Sequence, residues 1–321
     1  MNVHWHVGPH KTGTTSIQYL LMKLFGSEAP QPVWYPIGQA LGDAAGHGGL
    51  AAPFHPSPPS YSPEQGLKKL KSLRQLSNGC QTLILSSENF SFASDYDISS
   101  ISRTFSKDQL HLIFTVSPLV NRFASSWLSA LQFGHFLPMS QSQPIFRHYP
   151  GFRPRYFSEL FDAANPDQCS VVISDPTQKA SCLIQTFFDA CSLNLRLEDL
   201  SDTDIRKKNK SISHYEAQML CALNRLVFEE APPDEEKIYD GLIVGDSSYL
   251  ALRRALLEFT KKREWENLFE SKKINNEGAP LSELKKIAEI QWTDLRKMED
   301  RHGINVLGDL SVAFGEHQFL Q

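Results

Sequence analysis

A loop near the amino terminus combines glycine, lysine and hydroxyl side chains at a spacing suited to anion binding. It runs from Gly8 through Lys11 and Gly13 to Thr15, between a short apolar segment and the first amphipathic pattern of the chain. Glycine and hydroxyl residues at the start of a helix present backbone N–H groups and O–H donors, and the helix dipole adds positive potential. The expected ligand is a phosphate group.

The loop departs from the P-loop that binds nucleoside triphosphates. That pattern ends in Gly-Lys followed by Ser or Thr, and its lysine reaches the β- and γ-phosphates. Gly13 stands at the right position, but Thr14 follows it where the lysine should be, and Lys11 comes earlier in the loop. The departure argues against a nucleotide kinase of the usual kind.

The arrangement resembles the 5′-phosphosulfate-binding loop of sulfotransferases that use 3′-phosphoadenosine 5′-phosphosulfate (PAPS). The family pattern Lys-x-Gly-Thr-Thr matches Lys11–Thr15, and the string His10–Gln18 is similar to the bacterial and heparan-sulfate-type members. The resemblance implies a P-loop-like α/β fold, sulfuryl transfer to a hydroxyl or amine, and 3′,5′-phosphoadenosine (PAP) as product. It implies that Lys11 contacts the transferred sulfuryl group and the bridging oxygen. The implied donor-binding residues of the loop are His10, Lys11, Thr12, Gly13, Thr14 and Thr15.

The 3′-phosphate of the donor needs a second site, which this family builds from a later strand–helix segment, often Arg-x-Pro-x-x-Arg-x-x-Ser. In the corresponding stretch, Arg122, Ser125 and Ser126 share one helical face and are the expected ligands. Val116 stands where the family carries its leading Arg, and the serines come later than in the family. The alternative is a solvated Arg/Ser face of an amphipathic helix.

A basic run late in the chain, Arg206–Lys210, is similar to the family's loop that closes over the nucleotide phosphate. Arg206, Lys207 and Asn209 are the expected donor contacts within it. A solvated basic surface turn is the alternative interpretation of the same run.

Sulfuryl transfer needs a cation at the leaving oxygen and a base near the acceptor, much as phosphoryl transfer does. Glu88 is the expected base because it follows a predicted strand, and ligands of open α/β sheets bind beyond the carboxyl ends of strands. Heparan-type sulfotransferases use a glutamate in a comparable position. His47, in a long loop, is the alternative base or acceptor-binding residue. The chemistry requires no metal, and the sequence carries no metal-ligand motif.

Four short apolar segments, each followed by a helical pattern, predict βαβ crossovers and a mainly parallel sheet flanked by helices. The segments are Val3–Val7, Thr82–Leu85, Leu112–Val116 and Ser170–Ile173. Two proline-rich stretches, Ala29–Gln65 and Leu137–Pro154, predict long irregular excursions that wall the acceptor site.

The carboxyl-terminal part of the chain has a helical pattern from about residue 211, and Leu281–His302 is one expected helix. We therefore predict a single sulfotransferase-like α/β domain over residues 1–321, with a core over about 1–230 and a helical extension over about 231–321.

The composition limits the classes of protein to which the chain can belong. The 321 residues are 41% hydrophobic and 21% charged, as in an ordinary globular protein, and a net charge of −4 argues against a nucleic-acid binder. The longest apolar run, Met219–Leu223, is too short for a transmembrane helix. The amino terminus lacks an export signal and the five cysteines form no C-x-x-C pair, which predicts a reduced, cytoplasmic protein.

The expected partners are the nucleotide donor and a carbohydrate or lipid-like acceptor, and the oligomeric state is open. Two other functions remain open at this level. One is a nucleotide kinase or NTPase with a degenerate P-loop. The other is a catalytically inactive nucleotide-binding scaffold, for which Val116 in place of the family's Arg is the argument.

Overall fold

The computed structural model describes residues 1–38, 46–56, 61–132, 149–193 and 281–315, together with residues 139, 142, 146, 217, 220, 221 and 224. The strands are β1 (Asn2–His6), β2 (Gly26–Ser27), β3 (Val33–Pro36), β4 (Thr82–Ser86), β5 (Gln109–Val116), β6 (Gln168–Ile173) and β7 (Asn305–Leu307). The α-helices are α1 (Thr14–Phe25), α2 (Gly48–Ala51), α3 (Pro63–Leu76), α4 (Asp95–Thr104), α5 (Leu119–Gln132), α6 (Tyr156–Ala164), α7 (Ala180–Ala190), α8 (Leu281–His302) and α9 (Leu310–Phe314). Short 3₁₀ helices cover Ala52–Phe54, Glu88–Phe92 and Pro150–Phe152.

The strands of the described chain form one seven-stranded sheet in the order β2-β3-β4-β1-β5-β6-β7. Every neighbouring pair is parallel. The predicted α/β class with a parallel sheet and flanking helices is confirmed, and the fold is consistent with a P-loop-like architecture. From β1 the chain builds one side of the sheet up to β4 and then crosses to the other side at β5. The topological switch point therefore lies at β1, where open α/β sheets form their ligand crevice.

Both faces of the sheet are covered by helices, and this explains why β1 is buried on both faces. Val3 and Trp5 point to one face, while His4 and His6 point to the other. On the His6 face the ring of Phe187 from α7 lies 4.8 Å from the imidazole. Buried residues of α1 and α7 complete the core on that side: Ile17, Leu20, Leu21, Ile184, Phe187 and Phe188.

Aromatic packing holds the opposite face of the sheet. The ring of Trp5 meets that of Phe90 edge to face at 5.5 Å, and Phe114 of β5 packs in the same way on Phe157 of α6 at 5.3 Å. Such edge-to-face pairs add about 0.5–1.5 kcal/mol beyond the burial of their area. The sheet is thus fixed between two apolar layers, and its carboxyl edge is left for polar groups.

The predicted excursion Ala29–Gln65 is not irregular throughout, which corrects the sequence-based expectation. It contains β3, α2, a 3₁₀ helix and the start of α3. Prolines account for the difference: Pro53 and Pro63 lie in the first turn of their helices, where a missing N–H costs nothing, and Pro36 ends β3. A high proline content therefore marked element boundaries here rather than a continuous loop.

The described residues fall into two compact units. The first contains residues 1–118, 149–193 and 286–315, and with them all seven strands of the sheet; the second contains residues 119–132 and 281–285 with the single residues 139, 142, 146, 217, 220, 221 and 224. Within the second unit, Phe123 of α5 packs on Phe146 at 5.0 Å, and the Asn224 side-chain amide donates to the Leu131 carbonyl at 2.8 Å. The single domain over residues 1–321 stays a prediction.

The helix expected at Leu281–His302 is α8, with the same bounds. Residues 250–269, whose apolar spacing also predicts a helix, lie outside the described residues. Among the helices that the structure does describe, none combines the length and the hydropathy that a membrane span requires.

Candidate functional site

The loop between β1 and α1 has an unusual backbone. Lys11 and Gly13 both adopt left-handed conformations, with φ of 69° and 88°. A residue with a side chain pays roughly 1–2 kcal/mol for this conformation, and such residues concentrate at functional sites. Helix α1 then begins at Thr14 with no side-chain cap and no acidic residue in its first turn. The first turn of α1 therefore supplies no negative group of its own.

A chain of hydrogen bonds connects the loop between β1 and α1 to three strands of the sheet. The Thr12 hydroxyl donates to the Pro9 carbonyl at 3.0 Å and lies 2.8 Å from the Thr115 hydroxyl. His6 joins Thr115 through Nε2 at 3.2 Å and Ser86 through Nδ1 at 2.8 Å. Because Ser86 ends β4, His6 lies in β1 and Thr115 belongs to β5, the network fixes the loop to the carboxyl edge of the sheet.

Two further contacts hold the loop close to β5. The Ser117 hydroxyl donates to the Lys11 carbonyl at 3.2 Å. A Cβ at Gly8 would lie 2.6 Å from the Thr115 hydroxyl, so only glycine allows this approach. The backbone of the predicted anion loop is thus determined by packing on both of its arms.

Glu88 is brought against the first turns of α1, as a base near the loop requires. Its Oε2 accepts hydrogen bonds from the Thr14 hydroxyl at 2.8 Å and from the Gln18 amide at 3.2 Å. Its Oε1 lies 3.8 Å from His10 Nδ1. The structure therefore gathers His10, Thr14 and Glu88, three of the residues singled out in the sequence, and adds Gln18.

The charge states of this cluster follow from its surroundings. Burial raises the pKa of Glu88, whereas a protonated His10 and the hydrogen bonds from Thr14 and Gln18 lower it, and the net shift is to below the usual value of 4.5. Burial lowers the pKa of His10 to about 4, with Glu88 opposing the shift. His10 is therefore a neutral imidazole near pH 7, and the hydrogen bonds from Thr14 and Gln18 are what stabilise the Glu88 anion there.

Lys11 lies on the same loop. Desolvation by the surrounding protein lowers the pKa of its amine, although the residue keeps exposed surface, and the Glu88 carboxylate opposes the shift. The cationic Lys11 and the anionic Glu88 therefore attract one another at the amino terminus of α1. This combination of one cation, one anion and a helix amino terminus without a side-chain cap can bind an anionic ligand and accept a proton from a second one.

His47 does not fit the role of base, which corrects the alternative drawn from the sequence. Its Nδ1 accepts from the Ser86 N–H at 2.9 Å, and its Nε2 donates to the Pro36 carbonyl at 2.8 Å. The ring also stacks on Tyr35 at 4.3 Å and is 2% exposed. Both nitrogens are engaged by the backbone, and burial lowers the pKa to about 4, so His47 is a neutral residue that joins the 46–56 segment to β3 and β4.

The residues expected at the 3′-phosphate belong to α5, in the second unit. Arg122 and Ser126 are each 1% exposed, and Ser125 is partly exposed. A solvated Arg/Ser face is therefore wrong for two of the three residues. The Ser126 hydroxyl is buried without a hydrogen-bond partner among the described residues. Binding of the 3′-phosphate by this set stays a prediction, and Arg206, Lys207 and Asn209 lie outside the described residues.

Sequence reasoning missed Gln18 and the His6 network. Gln18 lies four residues after Thr14 in α1, and residues at this spacing share a helix face, so the signal was present. His6 and Thr115 are 109 residues apart in the chain and meet only because β1 and β5 are neighbours. In the described part of the chain, no group of three or more His, Cys, Asp or Glu side chains is arranged to hold a metal ion.

Comparisons of the chain with protein-family models, with curated proteins and with solved structures find no match. The function therefore has to be argued from the residues at this site and from their geometry.

Proposed function

We propose that the chain is a sulfotransferase that moves a sulfuryl group from PAPS to a hydroxyl or amine. One observation carries the proposal: the Lys11–Thr15 loop lies at the switch point of a parallel sheet, and the Glu88 carboxylate accepts a hydrogen bond from Thr14 of that loop. A cation, an uncapped helix amino terminus and a carboxylate are the groups that the reaction needs, and all three meet here.

The loop suits the 5′-phosphosulfate of the donor. The left-handed backbone at Lys11 and Gly13 turns the chain into the amino terminus of α1, where the helix dipole favours a negative group. Lys11 comes before Gly13 and not after it, so its positive charge lies in the part of the loop that follows β1. This placement favours PAPS over a nucleoside triphosphate, whose β- and γ-phosphates need the later lysine.

The two oxygens of the Glu88 carboxylate have different roles when Glu88 acts as the base. Oε2 is engaged by Thr14 and Gln18, which leaves Oε1 as the atom that takes the proton from the acceptor hydroxyl. The acceptor oxygen then forms its bond to sulfur as the bond between sulfur and the bridging oxygen breaks. The electron pair leaves with PAP, and Lys11 stabilises the negative charge on that oxygen.

Binding of the nucleotide product tests the donor assignment directly. Addition of PAP without metal should raise the melting temperature, since a ligand at 100 times its Kd stabilises the folded state by about 2.7 kcal/mol. Lys11→Ala should remove most of the shift. Lys107→Ala, which removes an exposed turn lysine, should retain it.

Mg-ATP is the control ligand for this experiment. Stabilisation by Mg-ATP and not by PAP would contradict the sulfotransferase and favour the kinase or NTPase. Stabilisation by PAP without sulfate transfer to any acceptor of a glycan and lipid panel would favour the inactive scaffold.

A further inference from the structure

A cavity of about 360 Å³ opens beside the Glu88–Phe92 3₁₀ helix, within the first unit. Small-molecule sites have volumes of roughly 300–1,000 Å³, so the space suits a single ring better than a long chain. Its walls include the aromatic residues Phe54, Tyr61 and Phe92, and its rim carries Asp95 and Arg153. Neither the donor loop nor Glu88 lines it.

The cavity nevertheless adjoins the site. The ring of Phe92 lies 5.2 Å from that of His10, whose Nδ1 is 3.8 Å from Glu88 Oε1. Glu88 and Phe92 also begin and end the same 3₁₀ helix, and a rise of about 2 Å per residue separates them by about 8 Å along its axis. A ligand bound against Phe92 therefore needs to extend by little more than one ring to bring a hydroxyl to Glu88.

The lining combines apolar faces with a donor and an acceptor of opposite charge. The rings of Tyr61 and Phe92 offer flat apolar surfaces, whereas Asp95 accepts hydrogen bonds and Arg153 donates them. A sugar ring has C–H groups on its faces and hydroxyls around its edge, and so it can use both kinds of wall. A purely apolar ring would cover Asp95 and Arg153 without giving them partners, which is unfavourable.

The charges around the cavity argue against an anionic acceptor. Asp95 lies at the rim, and Asp97, which is 1% exposed, accepts a hydrogen bond from the Tyr61 hydroxyl at 3.5 Å. The guanidinium of Arg153 is in turn shared with Glu159, 3.7 Å away. Carboxylates thus lie beside the cavity, and the one arginine that lines it is already paired with Glu159, so a sulfated or uronate-rich chain would be repelled.

One buried atom of the site matches a hydroxyl ligand. His10 Nε2 is out of contact with solvent and has no hydrogen-bond partner among the described residues. Buried polar atoms are nearly always hydrogen-bonded, and a hydroxyl of the acceptor would supply the missing partner.

We propose that this cavity, defined by Phe54, Tyr61, Phe92, Asp95 and Arg153, binds the acceptor as a neutral, unsulfated sugar. The assignment of the sugar as acceptor rests on the sulfotransferase function proposed above. Binding of the sugar at the cavity does not, because the cavity contains no residue of the donor loop.

Labelled full-length protein on an array of immobilised neutral, uronate-containing and sulfated oligosaccharides tests the proposal. We expect retention on neutral glycans. Tyr61→Ala should weaken it at least about tenfold, a loss of about 1.4 kcal/mol. Tyr96→Ala is the matched control, since Tyr96 is a neighbouring exposed tyrosine outside the cavity wall.

A second pair of variants tests the charged rim. Arg153→Gln should weaken retention on neutral glycans several-fold because it removes the charged guanidinium and leaves two N–H donors in place of five, whereas Arg155→Gln, two residues along the chain and outside the cavity, should leave it unchanged. All four positions are exposed, so the variants are expected to fold like the parent chain. The binding of 2-naphthol, followed by thermal shift, represents the apolar alternative.

The outcomes separate this inference from the proposed function. No retention on neutral glycans, retention on acidic glycans only, binding of 2-naphthol alone, or an unaffected Tyr61→Ala variant would overturn the sugar site, whatever PAP does. Retention on neutral glycans with no stabilisation by PAP would keep the sugar site and remove its role as acceptor. Both results positive would support the two together.

Discussion

Glu88 illustrates how a partly buried carboxylate beside a helix amino terminus keeps its charge. Two donors from successive turns of α1, Thr14 and Gln18, bind the same oxygen. Charge-assisted hydrogen bonds of this kind favour the ionised form and offset the cost of desolvation. The second oxygen is left to the neutral imidazole of His10, so the polar surroundings of the two oxygens differ.

Replacement of Glu88 by Gln should separate binding from chemistry. The amide keeps one carbonyl oxygen for Thr14 and Gln18 but cannot take a proton, so the turnover number should fall by about 10²–10⁴-fold. Stabilisation by PAP should change little. Turnover measured with radiolabelled PAPS checks the first point, and Glu28→Gln, at an exposed position, is the control. An unchanged rate would remove Glu88 from the role of base.

His6 is expected to stabilise the loop between β1 and α1 through its hydrogen bonds to Ser86 and Thr115. In His6→Gln, the hydroxyls of Ser86 and Thr115 lose an optimally placed buried partner, which should cost about 1–3 kcal/mol of unfolding free energy. Stabilisation by PAP should also weaken, because Thr115 contacts Thr12. Urea unfolding with and without PAP measures both effects. His302→Gln, on the exposed end of α8, should show neither; equal effects in the two variants would argue against a special role for His6.

At the scale of the element, the turn into α1 is a strained connection whose geometry needs glycine at one position. Gly13 has a φ of 88°, and Gly79, in the turn before β4, has a φ of 96°. A Cβ at Gly13 would lie 2.8 Å from the end of the Leu183 side chain, whereas a Cβ at Gly79 would meet nothing within 4 Å. Both glycines therefore have a left-handed backbone, but only Gly13 lies in the anion-binding loop.

Gly13→Ala and Gly79→Ala should each lower stability by about 1–2 kcal/mol, since both force a side chain into the left-handed region. The end of the Leu183 side chain can move, so the difference in stability should be small. Only Gly13→Ala should weaken stabilisation by PAP, because only this change alters the anion loop. Melting temperatures with and without PAP provide the test, and similar PAP shifts in both variants would contradict a role for the loop.

The strands and the main helices could be predicted from the sequence because their apolar patterns are local. β1, β4, β5 and β6 correspond to the four predicted segments, and α8 has its predicted bounds. β2, β3 and β7 were missed, because strands of two to four residues carry too little pattern to be distinguished from loops. Their positions depend on pairing with neighbouring strands, which the sequence alone does not reveal.

The residues of the site likewise divide into those that the sequence predicts and those that it does not. Lys11, Gly13 and Thr14 were found because they are consecutive, and Glu88 was found because it follows a strand. The engagement of both His47 nitrogens could not be predicted, because its partners, Pro36 and Ser86, belong to distant strands. Residue type alone does not distinguish a histidine that bridges strands from one that takes a proton.

At the scale of the whole molecule, buried neutral histidines should make stability depend on pH. Burial lowers the pKa of five of them to about 4, from an ordinary value of 6.5. They are His4, His6, His10, His47 and His111. The unfolded chain therefore binds more protons than the folded one between these values. Their contribution is complete above pH 6.5 and is lost as the pH falls toward 4.

Urea unfolding at about pH 7 and about pH 5 should show lower stability at the lower pH, with each unit of pKa difference worth about 1.4 kcal/mol per group. His111→Gln should reduce the slope of this dependence, because it removes one titrating group and relieves the charge repulsion on His4, 3.2 Å away. A slope equal to that of the parent chain would show that this buried pair does not titrate on unfolding.

The ends of the sheet have a consequence for the behaviour of the protein at high concentration. The outermost strands of the described sheet, β2 and β7, have two and three residues. A strand at an edge exposes unpaired backbone groups that can recruit a second chain, and short edge strands offer few of them. The long central strands, which have the strongest tendency to form intermolecular β-structure, are shielded on both sides. Association through the sheet edges should therefore require partial unfolding first, so resistance to aggregation should follow the unfolding equilibrium.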